Sequence, residues 1–293
     1  MNQYLDTLND STSRVLEQYD ALRAIWGDIL QGFSYVPKEK IYMKHLDDID
    51  HSTISKIQTD FTSEFLNMGV PTRKDRVDFL METEEWTQDD EDEITSAEFF
   101  ITDNIENYNI SQIPSQKERL GKALDKARNT VAKKKGEKEQ KIGAVAETRA
   151  EKLANSYYIY FSFYKDKVLT ERCWDSFEEF DEQEDHELTG RIYLYNETLA
   201  PFKEKNFKKI AVMPFTLNIA SYCKDQGMFF FGKAITEFTN YQLAVFTKVM
   251  RNTFVLRESK QTTPEINNDL MMNTLVDWYD MQYDIIIAES KSR

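Results

Sequence analysis

Apolar side chains recur at intervals of three and four through most of the chain, the period of an amphipathic helix. Between 10 and 32, Val15, Tyr19, Leu22, Ile25, Trp26 and Ile29 share one face. Asp10 or Ser11 stands in the capping position, and Gly32 supplies a stop. The period is lost over 33–50 around Pro37, where an irregular or extended segment is expected. It returns over 51–68 with Ile54, Ile57, Phe61, Phe65 and Leu66, ending at Gly69, and again over 72–85 with Val77, Phe79 and Leu80. Thr87-Gln88-Asp89-Asp90 reads as a capping box opening a helix over 88–107, and Ser115-Gln116-Lys117-Glu118, just after Pro114, reads as another.

From 116 to 165 the helical grid continues. Leu120, Leu124, Ala127 and Val131 form a coiled-coil-like stripe, resumed by Ile142 and Val145 and interrupted by Lys133-Lys134-Lys135-Gly136. Either one helix of about 50 residues runs here, about 75 Å long at 1.5 Å per residue, or a hairpin or sharp break falls at Gly136 or Gly143; the pattern favours the break. The aromatic run Tyr157–Tyr164 suits either a strand or a helix buried on most sides, and continuity with the preceding period favours the helix. Trp174, Phe177 and Phe180 follow among acids, then helices near 183–200, 207–223, 236–256 and 266–283, with Ile285-Ile286-Ile287 near the end. The expected fold class is therefore mainly α: a multi-helix protein with a protruding basic long helix or helical hairpin. Three regions are expected: an N-terminal helical part over 1–110, the basic helix or hairpin over 111–153, and an aromatic-rich helical core over 154–293.

Charge sharpens this picture. The 293 residues carry a formal net charge of −14, yet 111–153 holds twelve Lys or Arg against six acids. Residues 82–93 hold eight acids and no Lys or Arg, as do 175–187. Such segregation favours docking of the basic segment on acidic segments, within the chain or on a neighbouring copy, or on an external acidic partner. Lys133, Lys134, Lys135, Lys138 and Lys141 are the expected partner-binding residues. The run has no Arg and no interleaved aromatics, which argues against nucleic acid. No apolar stretch reaches the length of a membrane span, the first residues lack a signal-peptide pattern, and two cysteines, Cys173 and Cys223, are too few for a disulfide framework. A cytoplasmic protein with reduced thiols is the expectation.

Candidate chemistry is sparse. Gly227–Lys233 has the spacing of a phosphate loop, but Ala234 replaces the Ser or Thr that holds magnesium, and three consecutive Phe residues suit a core segment turning at Gly232 better. His186 lies in an acidic run, and His45 and His51 flank Asp47, Asp48 and Asp50 without metal-site spacing. Trp86, Trp174, Trp278 and Tyr279 suit interface anchors or, more commonly, core. No catalytic residue, metal ligand or cofactor is expected.

Across most of the chain, the order of Lys44-His45-Leu46-Asp47, Trp86 with its acidic cap, the Lys-rich helix after Ser115, Phe230–Ile235, Tyr241-Gln242 and Val276-Asp277-Trp278-Tyr279 resembles uncharacterised virion or assembly proteins of tailed bacteriophages. The resemblance implies a structural or assembly component in the host cytoplasm or the virion, binding other phage proteins or copies of itself. The functional expectation is thus a non-enzymatic protein–protein interaction protein acting through helix packing and charge complementarity. Two alternatives remain: a nucleotide- or metal-dependent enzyme using Gly227–Lys233 or the acids around His186, and a nucleic-acid- or transcription-associated module.

Overall fold

The computed structural model describes residues 19–223, 226–264 and 269–291. It is mainly α-helical, as the periodicity predicts, and carries one small sheet besides. Its contacts divide it into two compact units. One comprises the described residues up to Ser55 together with those from Ser156 onward; the other is Lys56–Asn155. Of the sequence-based boundaries, 110/111 and 153/154, the second lies two residues from a limit of these units. The first of them falls in the turn between two helices that pack on each other, so composition changes there while the packing does not.

In the discontinuous unit, helix α1 spans 19–31 and stops at Gly32, whose positive φ of 79° a glycine adopts freely. The cap expected at Asp10 or Ser11, and Val15, lie outside the described residues. The segment around Pro37 takes the extended of its two expected forms: β1 (Phe33–Val36) and β2 (Ile41–Lys44) make an antiparallel hairpin, and β3 (Phe163–Tyr164) adds to β2. The aromatic run is therefore helical only to Ser162, where α6 (Ala146–Ser162) gives way to the strand. Val36, Met43, Phe163, Trp174 and Phe180 close one apolar cluster beneath this sheet. Helices α7 (Phe177–Asp181) and α8 (Asp185–Leu199) follow.

The helix expected over 207–223 is two helices, α9 (Glu204–Ala211) and α10 (Pro214–Tyr222), because Pro214 lacks the amide to continue the first turn and starts a new one instead. Helix α11 (Gly227–Phe231) is short. Helix α12 (Asn240–Glu258) opens on a capping box of Thr239 and Gln242, and α13 (Asp269–Lys291) carries Ile285–Ile287 within it. Trp26, Ile29, Ile210, Val245, Val249, Leu275 and Trp278 form the main core of this unit.

The second unit contains most of α2 (Asp48–Asn67), then α3 (Arg73–Glu82), α4 (Gln88–Ile110), α5 (Pro114–Ile142) and the start of α6. Helix α2 ends as the glycine predicts: the Val70 amide donates to the Phe65 carbonyl and the Gly69 amide to Leu66, both at 3.0 Å, a Schellman closure. Thr72 and Thr87 cap α3 and α4, each with a reciprocal Asp three residues on. The box expected at Ser115 is absent: Pro114 is already helical, and Ile113 precedes it without a side-chain cap. Leu80, Trp86, Ile94, Ile142 and Val145 make the apolar cluster at the base of this unit. All four residues considered as interface anchors, Trp86, Trp174, Trp278 and Tyr279, are buried.

Candidate functional site

The basic stretch is one 29-residue helix through Gly136, ended by Gly143 at φ 69°. The break expected near Gly136 or Gly143 is at the latter, and the hairpin is made with α4, turning over 111–113. The two helices run antiparallel: Lys134 at one end reaches Asp90, while Lys117 at the other lies 5.2 Å from the Tyr108 ring. Tyr108 also packs over Gly121, where a Cβ would come within 3.2 Å of its ring. A glycine there lets the helices approach closely.

The inner face of this hairpin follows the predicted stripe. Leu124 is fully buried, and Leu120, Ala127 and Val131 are half-buried, opposite Ile94, Ala97, Ile101 and Ile105. Charge completes the seam. Lys134 bridges Asp90 at 2.7 Å and Glu93 at 2.9 Å, Lys135 reaches Glu98 at 2.7 Å, and Lys138 pairs with Glu91. The indole of Trp86 donates to Glu91 at 2.7 Å. Lys141 donates to the Glu85 carbonyl and sits over the Trp86 ring. From α3, Arg73 forks onto Glu139 of α5.

These contacts reset the acids. Asp90 is held down to about 2, first by the Lys134 ammonium and then by the Thr87 amide and hydroxyl. Partial burial works to raise Glu91, but Lys138 and the Trp86 indole outweigh it and keep it low. The Arg73 guanidinium keeps Glu139 low.

Four of the five lysines expected to meet a partner are thus engaged within the chain: Lys134 and Lys138 on carboxylates that the sequence segregates over 82–93, Lys135 on Glu98 beyond them, and Lys141 on the Glu85 carbonyl and the Trp86 ring. Lys133 alone of the five points away, 77% exposed beside Glu137 at 3.8 Å. A hairpin of two helices has a second side, and here it is sharply divided. On α4 the outward positions are Asp92, Ser96, Phe99, Asp103, Glu106 and Ile110, all exposed, Phe99 at 67% and Ile110 at 68%. On α5 they are Arg119, Lys122, Lys126, Asn129 and Lys133, also exposed. An open hollow of ≈ 450 Å³ is lined by Lys122, Lys126, Asn129, Thr130 and Lys133 together with Asp125, whose carboxylate pairs with Arg128 at 3.3 Å. Sequence reasoning centred on the lysine run and missed Arg119, Lys122, Lys126 and the α4 residues. The signal was there in the alternating spacing of four and three that separates an outward from an inward face.

The other candidates resolve differently. Gly227–Phe231 is helical, with the Phe230 amide donating to Gln226 and the Gly232 amide to Met228, so these donors do not form a phosphate cradle. Gly232 ends that helix in the left-handed region, the turn expected of it. His186 is exposed beside Glu184 at 3.2 Å, and His51 meets the Asn240 amide at 2.7 Å. Among the described residues no group of three or more His, Cys, Asp or Glu converges on a metal position.

His45 is buried, 1% exposed, its Nε2 2.9 Å from the Ser34 hydroxyl and its ring edge-on to Phe202 and Tyr241. Burial and then the nearby Lys233 ammonium push it down to about 3. Ser34 is as inaccessible as its partner, so the pair is a buried polar link and not a nucleophile facing solvent. A hollow of ≈ 490 Å³ between α9 and α13 is lined by residues that include Lys205, Lys208, Asp277 and Asp280; Asp280 pairs with Lys208 at 2.6 Å and with Arg251, outside the hollow, at 3.0 Å. Burial raises both Cys173 and Cys223, which favours the thiol. Among the described residues no helix is long and apolar enough to cross a membrane. No protein-family model matches the chain, and no curated protein or solved structure matches it either.

Proposed function

We propose that this chain is a non-enzymatic interaction protein that works through the outer faces of its α4–α5 hairpin. One observation carries the reading: the hairpin satisfies its inner lysines on its own acids, yet leaves an acid-only face bearing Phe99 and Ile110 on α4 and a cationic face on α5. Helix α4 contains no Lys or Arg at all. An apolar anchor ringed by charge of one sign is the composition of a protein-docking surface. Charge of opposite sign on the second helix gives such a surface orientation as well as attraction.

A role as a structural or assembly component of a tailed-phage particle rests on the sequence resemblance described above.

Lysine-directed cross-linking of the protein in an extract of the cells that make it tests the interaction reading. Lys122, Lys126 and Lys133 should link to another polypeptide chain, while Lys134 and Lys138 link mainly within their own. Only intrachain links from Lys122, Lys126 and Lys133 would sink the proposal.

A further inference from the structure

The two outer faces of the hairpin match each other in spacing as well as in sign. On α4 the outward positions step by four, three, four and three from Asp92 through Ser96, Phe99 and Asp103 to Glu106. On α5 they step by three, four, three and four from Arg119 through Lys122, Lys126 and Asn129 to Lys133. Each stretch covers fifteen residues, and its fourteen steps span about 21 Å at 1.5 Å per residue. Laid antiparallel, as α4 and α5 already lie within the chain, the stretches fall into one register. Asp92 meets Lys133, Asp103 meets Lys122, Glu106 meets Arg119, and the exposed Phe99 meets the stem and ammonium of Lys126.

We propose that the partner on these faces is a second copy of this chain: the cationic face of α5 on one copy docks on the acidic face of α4 on the next. The inference rests on the interaction reading above and names its occupant. Charge complementarity argues for it, because three carboxylates stand opposite four cations with no like-charged pair in that register. Availability argues for it too. Asp103, Glu106, Arg119 and Lys126 make no ion pair among the described residues. Lys122 holds only Glu118, its neighbour one turn away, in an exposed pair that solvent screens and that reorganises readily. Phe99 supplies apolar area, and Lys126 above a ring adds a cation–π contact.

The two faces are different surfaces of one chain, so the contact is head-to-tail rather than two-fold. Each docked copy leaves one acidic and one cationic face open, and copies add until the rotation closes a ring or continues as a helical filament. Copies of net charge −14 repel at long range, so the local match has to overcome the global field.

Light scattering on the purified full chain tests this, with charge reversal on each face. One variant carries Lys122→Glu and Lys126→Glu; the other carries Asp103→Lys and Glu106→Lys. All four positions are exposed, so both variants should keep the wild-type circular dichroism and melting curve. The wild type should gain mass with concentration at low salt and return to monomer near 1 M, where the Debye length is about 3 Å. Each variant alone should associate about tenfold more weakly or worse, and an equimolar mixture of the two should associate again, because the reversed faces complement each other. The α4 variant lowers the net charge from −14 to −10, so its failure to associate would not be repulsion between whole chains. A wild type that stays monomeric at every concentration and salt overturns the proposal without needing any variant. So does association that ignores both reversals, or a mixture that stays monomeric. If self-association fails while Lys122, Lys126 and Lys133 still cross-link to a different polypeptide in extracts, the interaction reading stands and only the second copy is excluded as partner.

Discussion

Asp90 closes the capping box of Thr87 at the start of α4 and, with its other oxygen, receives Lys134 of α5 at 2.7 Å. A local device that starts a helix is therefore also the point where the next helix is locked in register. Removing the Thr87 hydroxyl takes away the acceptor of the Asp90 amide and one donor to the Asp90 carboxylate, a cap worth about 1 kcal/mol. Removing the Asp90 carboxylate takes away the reciprocal cap and the partner of Lys134 together. Asp90→Ala should therefore destabilise Lys56–Asn155 more than Thr87→Ala does, as read by denaturant melts. The Lys134→Met change should cost less in the Asp90→Ala background than in the wild type. Equal effects of Lys134→Met in both backgrounds would show that the bridge is not coupled to folding.

The same carboxylate carries a pH signature. Asp90 is held down to about 2 against an ordinary value of 3.8. A lowered carboxylate contributes stability that is complete above the unfolded value and is lost as pH falls from there towards about 2. Glu91 and Glu139 are shifted in the same direction. Amide exchange of α4 and α5 should accelerate selectively as pH drops from about 4.5 towards 2, after correction for intrinsic exchange. Asp90→Asn should flatten part of that slope.

Two glycines test the helices that the sequence left open. Gly136 lies in the middle of α5, with nothing within 4 Å of where a Cβ would stand. Replacing it with Ala removes a glycine from a helix interior, so Gly136→Ala should stabilise by about 0.5–1 kcal/mol. Gly227, the first glycine of the phosphate-loop spacing, is buried, and a Cβ there would stand 2.9 Å from Phe238 and 3.1 Å from Phe246. Gly227→Ala should destabilise by about 1–3 kcal/mol through overpacking of that aromatic cluster. Melting midpoints moving in opposite directions would confirm both; a destabilising Gly136→Ala would mean that α5 breaks there.

What could be read in advance was local. Thr87 and Asp90 lie three residues apart, and Gly69 and Gly32 end their helices through their own backbone, so no knowledge of distant packing was needed. The charge segregation was equally plain, but it left open whether basic 111–153 meets acids of its own chain or of a partner, and which of the two acidic segments it meets. Which lysines turn inward was not plain from the run itself. Lys133 and Lys134 are neighbours in sequence yet face opposite ways, and only the helix phase fixed by Leu124 and Val131 separates them. The β-hairpin was hidden because its strands are four residues each and Pro37 reads as a breaker. With the hairpin unrecognised, Ser34 and His45 looked unrelated. The capping box of Thr239 and Gln242 was equally local in its spacing and went unread; only the further donation of Gln242 to the Ile29 carbonyl depends on α1 packing beside α12.

Buried His45 gives the discontinuous unit its own response to acid. Its ring is kept neutral in the fold, down to about 3, whereas in the unfolded chain it takes a proton near 6.5. Between those values the unfolded state binds the extra proton, so stability rises with pH and is lost as pH falls below about 6.5. At pH 5 the deficit is about 2 kcal/mol, from 1.36 kcal/mol for each pH unit below the unfolded value. His51 and His186 are partly or largely exposed, so His45 is the histidine placed to dominate this window. Thermal melts from pH 8 to pH 5 should show the midpoint falling below pH 6.5, well before the carboxylates of the α4–α5 seam titrate. Replacing the ring with an uncharged amide, His45→Gln, keeps a partner for the Ser34 hydroxyl and removes the titration. That variant should be less stable than the wild type at pH 8, because packing against Phe202 and Tyr241 is lost, yet its midpoint should be nearly level from pH 7 to pH 5. A variant that kept the full acid slope would assign it to another group.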